Sequence, residues 1–167
     1  MDIHETTLLL LSCAASCADL RTGKIPNSII AAGLACGLFG GFIRNGPAGE
    51  ITALLGAAEP LLFLIIFFYL HMMGAGDIKL LSVAGAFTGP VRIMHILIYT
   101  FLIGGIYSSL LLIKRGNVHS RFHYVIEYIR DWFSTGRPGS YLDGALEDGK
   151  FSFSVPILLG ILAEMIL

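Results

Sequence analysis

ITALLGAAEPLLFLIIFFYLHM, running from Ile51 to Met72, carries one acid, Glu59, and is otherwise an apolar run. At 1.5 Å per residue a helix of this length matches the roughly 30 Å hydrocarbon core of a bilayer. The stretch therefore predicts a membrane-crossing helix. Glu59-Pro60 reads as a kink whose acid faces other helices.

Further apolar stretches, separated by Gly, Pro and charged residues, fall at about 5 to 20, 28 to 44, 77 to 89, 91 to 114 and 153 to 167. The chain of 167 residues is 55% hydrophobic and only 14% charged, far from soluble averages. The expected fold is all-α: one membrane-embedded domain over residues 1–167, a polytopic protein of about six transmembrane helices. The first, fourth and last segments are short and should tilt or sit behind neighbours. Asp2 and Glu5 stand where a secretory signal would carry basic residues, so the first segment is expected to remain as a membrane helix.

The net charge of −1 gives no sign of nucleic-acid binding, and the placement of the 11 Lys and Arg says more. With the N-terminus outside, the loops near 20 to 27, 72 to 79 and 114 to 152 hold Arg21, Lys24, Lys79, Lys114, Arg115, Arg121, Arg130, Arg137 and Lys150. Arg44 and Arg92 fall on the other side. That bias predicts six spans with both termini outside. Residues 118–134 place Phe122, Val125, Ile126, Ile129, Trp132 and Phe133 at helical spacing, with charges mostly opposite, and predict an amphipathic interfacial helix on the cytoplasmic side. Residues 135–152 then form a Gly-rich loop.

Two acids stand out from this background. Asp19 closes the first segment, in Cys17-Ala18-Asp19-Leu20-Arg21-Thr22-Gly23-Lys24-Ile25-Pro26-Asn27, and Asp77 opens the fourth, in Gly74-Ala75-Gly76-Asp77-Ile78-Lys79. Both would lie at the cytoplasmic boundary, where antiparallel packing brings their carboxylates within reach. Two adjacent carboxyl groups cannot both ionise cheaply, so they hold one proton between them and suit aspartyl acid/base chemistry. Gly74 and Gly76 would let a substrate backbone approach. The plainer account is that Asp77 caps a helix and that Asp19 pairs with Arg21 or Lys24. Cys13, Cys17 and Cys36 form no metal-binding or disulfide pattern and are expected to be buried packing residues, with Cys13 and Cys17 on one face. His71 reads as interfacial, and no metal or other cofactor is expected.

These paired motifs, Asp19 with Arg21, Gly23, Ile25, Pro26 and Asn27, then Gly74-Ala75-Gly76-Asp77-Ile78-Lys79-Leu80, resemble the type IV prepilin peptidase family of GxGD aspartyl membrane proteases. The resemblance runs from the first helix to Val155-Pro156. It implies that Asp19 and Asp77 are the catalytic pair and that Gly74, Gly76 and Lys79 shape the site, Lys79 by biasing the pair's protonation or by facing lipid phosphate. Pro26 and Asn27 are expected to be structural.

The implied reaction is cleavage of the short basic leader of a prepilin or pseudopilin, after a glycine, at the cytoplasmic face of the inner membrane. Implied partners are that substrate, the lipid bilayer and the pilus assembly machinery. Larger members resemble bifunctional enzymes with a cysteine-rich zinc site that accompanies N-methylation. This chain lacks those cysteines and looks like the compact form of tight-adherence (Flp) pilus systems, which implies protease without methyltransferase activity. The archaeal preflagellin peptidases are similar but usually carry a larger soluble insertion. Two other classes compete with this reading: a proton- or cation-coupled transport subunit, with Glu59, His95 and Glu164 extending a relay that lacks an evident basic partner, and an idle assembly scaffold.

Overall fold

The structure is a computed structural model and describes residues 2–69, 73–114 and 152–167. Four α-helices account for nearly all of them: α1 (Ile3–Thr22), α2 (Asn27–Tyr69), α3 (Ala75–Lys114) and α4 (Ser154–Ile166). Residues 1–104 with 152–167 form one compact unit. Residues 105–151 form a second, of which the helical turns up to Lys114 are described. The expected interfacial helix at 118–134 and the loop at 135–152 lie, apart from Ser152, outside the described residues, as does His71.

On α1 the buried positions are Leu8, Ser12, Ala15 and Ser16, a spacing of three and four that puts them on one face. That face packs against α4, whose buried residues are Ser154, Pro156, Ile157, Gly160 and Ile161. The first half of α3 is the heart of the core: Leu80, Leu81, Val83 and Ala84 are at most 1% exposed. Gly33 and Gly37 on α2 let that segment come close. A Cβ on Gly33 would stand 2.6 Å from Cγ1 of Val83, and one on Gly37 would stand 2.7 Å from Cβ of Ala86.

The six expected spans are not what the structure contains. Segment 28 to 44 and the described part of segment 51 to 72, up to Tyr69, belong to α2, and segments 77 to 89 and 91 to 114 belong to α3; each long helix is broken once within its length. Gly46 (φ 61°, ψ −149°) and Gly89 (φ 77°, ψ 176°) hold the breaks, in left-handed backbone that favours glycine. Pro47 and Pro90 follow them, and a proline pushes the residue before it out of helical ψ. Around the first break the chain doubles back until Gly41 meets Gly49, with a Cβ on Gly41 placed 2.8 Å from the Gly49 carbonyl oxygen. Pro60 leaves its helix unbroken.

Two helices, Asn27–Tyr69 and Ala75–Leu110, are long and apolar enough to cross a membrane. α4, at 13 residues, reaches only about 20 Å and is too short to span alone, while α1 is diluted by Asp2, Glu5, Asp19 and Arg21 at its ends. The expected fold class of about six transmembrane helices, and the six-span, multi-pass inner-membrane placement built on it, are therefore corrected to a four-helix, all-α arrangement with two candidate spans among the described residues. The apolar runs do not translate one for one into separate helices, because only Asn45-Gly46 in α2 and Gly89 in α3 leave helical geometry between them.

The exterior remains apolar. Phe39, Ile43, Leu62, Ile65 and Tyr69 on α2 are each more than 60% exposed. Surfaces of this kind suit a lipid solvent rather than water, so the fold is that of a membrane-associated protein.

Candidate active site

α1 ends in a cap formed by Gly23 (φ 64°), whose N–H donates to the Asp19 carbonyl at 2.7 Å. Asp19 continues the stripe of Leu8, Ser12, Ala15 and Ser16, three residues past Ser16, so its side chain emerges at the α1–α4 seam. There Oδ2 accepts hydrogen bonds from the Ser154 hydroxyl at 2.8 Å and from the Ser152 hydroxyl, and the two hydroxyls lie 2.8 Å apart. Ser16 secures the same seam by donating to the Ser154 carbonyl at 3.1 Å. Asp19 thus pairs with Ser154 of α4 and with Ser152 just before it; Arg21 and Lys24, the partners expected from sequence, are exposed and make no ion pair with it.

Asp77 is the third residue of α3 and is half-buried. Its N–H donates to the Gly74 carbonyl at 3.2 Å. A Cβ on Gly74 would sit 3.2 Å from Oδ2 of Asp77, so a side chain there would crowd the carboxylate. A Cβ on Gly76 would meet Ile25, in the α1–α2 turn, at an ordinary 3.5 Å. That contact seats the start of α3 against the turn that follows Asp19. The Asp19 carboxylate accordingly lies within electrostatic reach of Asp77.

Lys79 points elsewhere. Its ammonium donates to Oδ1 of Asn27 at 3.1 Å, joining the first turns of α2 and α3, and it forms no ion pair with either aspartate. The cysteines also differ from expectation: Cys13, Cys17 and Cys36 are exposed, and Ser12 and Ser16, one position away on the helix, make the packed face instead. Among the described residues no group of three His, Cys, Asp or Glu side chains is placed to hold a metal ion.

The acids weighed as a relay are placed differently from the aspartates. Glu164 does have a basic partner: Arg92 reaches it at 3.3 Å and Glu5 at 3.1 Å, while His95 lies 3.3 Å from Glu164. This cluster ties α1, α3 and α4 together near the start of α1. Glu59 stands outside it, with Oε2 buried and unpaired among the described residues. Two cavities of about 230 and 770 Å³ adjoin His4 and Arg44, and neither is lined by Asp19 or Asp77. As His4 is four turns of α1 away from Asp19, roughly 22 Å, they are not part of the aspartate site.

Ser152 and Ser154 are the site residues that sequence reasoning missed. Ser152-Phe153-Ser154 ahead of Val155-Pro156 reads only as a helix start, and nothing local in the sequence points to an acid more than a hundred residues earlier.

Searches of curated proteins and of solved structures each returned no significant match. The model of the type IV leader peptidase family matches residues 6–109, a stretch that includes both aspartates and ends before α4. On that match, covering more than half of its length, the chain belongs to the type IV leader peptidase family.

Proposed function

We propose that the chain is a GxGD-type aspartyl endopeptidase that removes the short basic leader of a type IV prepilin or pseudopilin, cutting after a glycine, with Asp19 and Asp77 as its acid/base pair. The observation that carries this reading is that Gly76, next to Asp77 at the start of α3, seats against Ile25 in the turn that follows Asp19 at the end of α1. Family membership supplies the prepilin-type substrate and the membrane context.

The chemistry balances with one proton shared by the pair. The ionised carboxylate takes a proton from water as the water oxygen adds to the scissile carbonyl carbon, and the protonated carboxyl gives its proton to the carbonyl oxygen. In the tetrahedral diol the roles reverse. The acid formed from water protonates the amide nitrogen, the other carboxylate recovers a proton from a diol hydroxyl, and the C–N bond breaks. The pair ends as it began, so no cofactor enters the cycle.

Gly74 keeps the space over the Asp77 carboxylate free of a Cβ, and Gly76 lets the start of α3 sit against Ile25. Lys79 shapes the site indirectly by holding α2 and α3 together through Asn27. The prepilin-type substrate that family membership implies would be handed on to a pilus assembly machinery after cleavage.

The test is a prepilin co-expressed with wild type, Asp19→Asn or Asp77→Asn and followed as a mobility shift in membranes. Either substitution should abolish the processed band at equal protein level. A processed band with both would overturn the aspartyl mechanism.

A further inference from the structure

Ser152 and α4 lie outside the stretch that matches the family model, yet Ser152 and Ser154 supply the hydroxyls that grip Asp19. We infer that Ser152 and Ser154 are positioning residues for Asp19, anchoring its carboxylate by Oδ2 and leaving Oδ1 to face water and the partner acid. The inference rests on the aspartyl-pair reading and extends it to a segment the family match does not include.

Proton counting gives the arrangement its content. Three oxygens, Asp19 Oδ2 and the two serine Oγ atoms, make three mutual contacts, while two serine hydroxyls offer only two protons. When Asp19 is ionised, both hydroxyls donate to Oδ2 and the serine–serine contact holds no proton. When Oδ1 takes the proton, Oδ2 becomes the carbonyl oxygen of a carboxylic acid and still accepts from both hydroxyls.

The two hydroxyls therefore hold the carboxylate in both protonation states without moving it. An acid that must act as base in one half of the reaction and as acid in the other needs that property. Alanine at both positions would leave Asp19 free to change rotamer as its charge changes. Geometry lost in this way costs rate rather than substrate binding.

Ser16 provides the control, because it bonds the same α1–α4 seam through the Ser154 carbonyl and does not touch the carboxylate. The experiment measures kcat and KM of the full-length protein in detergent, using a peptide that carries a basic leader, the glycine and the first apolar residues of a prepilin. Ser152→Ala/Ser154→Ala should lower kcat by about 10- to 100-fold with KM unchanged. Ser16→Ala should keep kcat near wild type, and Asp19→Asn should be inactive.

A double serine variant with wild-type kcat, or a Ser16→Ala variant that loses as much, overturns the positioning role while the pair reading stands. Activity in Asp19→Asn, or none in the wild type, removes the pair reading and this inference with it.

Discussion

Arg92 on α3 holds Glu164 of α4 through Nε at 3.3 Å, and the same guanidinium reaches Glu5 of α1 through Nη1 at 3.1 Å. One side chain thereby joins three helices at the end of the fold away from the aspartates. Glu164 is the most enclosed member, with a side chain only 10% exposed, so it depends most on its cation.

Arg92→Gln should destabilise the protein by about 1–2 kcal/mol, a figure reduced because Arg92 itself is well exposed. Thermal unfolding in detergent reads this directly. Arg92→Gln/Glu164→Gln should recover part of the loss, since the uncompensated acid is then gone.

Acid should loosen the same end through His4. Its ring packs against Phe87 at a centroid distance of 4.5 Å, and its Nε2 is buried without a partner among the described residues. Burial first, then the Arg44 charge, hold the imidazole below its ordinary value, with Glu5 and Asp2 opposing. A His with a lowered folded-state value binds protons more readily when unfolded. Its contribution is therefore intact above about pH 6.5 and is lost as pH falls below that. Melting temperature should drop between pH 8 and pH 5.5 in wild type and drop less in His4→Phe. Equal slopes in the two proteins would refute the assignment.

Gly33 and Val83 make a reciprocal test of packing. Gly33→Ala puts a Cβ 2.6 Å from Val83 Cγ1 and should cost about 1–3 kcal/mol despite the better helix propensity of alanine. Adding Val83→Ala should return part of that stability. Destabilisations that simply add would show that the two positions do not share one space.

Lys79 and Asn27 should behave as a pair in stability and as bystanders in chemistry. Lys79→Ala and Asn27→Ala remove the same exposed hydrogen bond. Each should cost no more than about 1 kcal/mol, the double variant no more than either single one, and cleavage should stay within about 3-fold of wild type. A large loss of kcat in Lys79→Ala alone would mean that its charge acts on the aspartates.

Several features of this architecture were legible in the residues. The seven-and-four spacing of Leu8, Ala15 and Asp19 is a helical face, and Gly-Pro at 46–47 and at 89–90 marks the points where the backbone leaves helical geometry. What a run of hydropathy does not encode is whether the helix resumes after such a step. Six segments were therefore expected where four helices, two of them broken, are found.

Asp19 and Asp77 attracted notice as acids in apolar surroundings, and the fold brings them within electrostatic reach through the seating of Gly76 on Ile25. Ser152 and Ser154 were invisible, because their role depends on α4 lying along α1, a long-range contact with no local signature. The cysteines were misread for a related reason: small size suits a packed face, but on α1 the phase of the helix gives that face to the serines.

The most direct test of the central claim is the cleavage rate of one prepilin precursor by wild type, Asp19→Asn, Asp77→Asn and the double variant at matched protein levels. Two acids acting as one unit predict that each single substitution loses about 100-fold or more and that the double variant is no worse than either. Near-wild-type cleavage by either single variant would contradict the account.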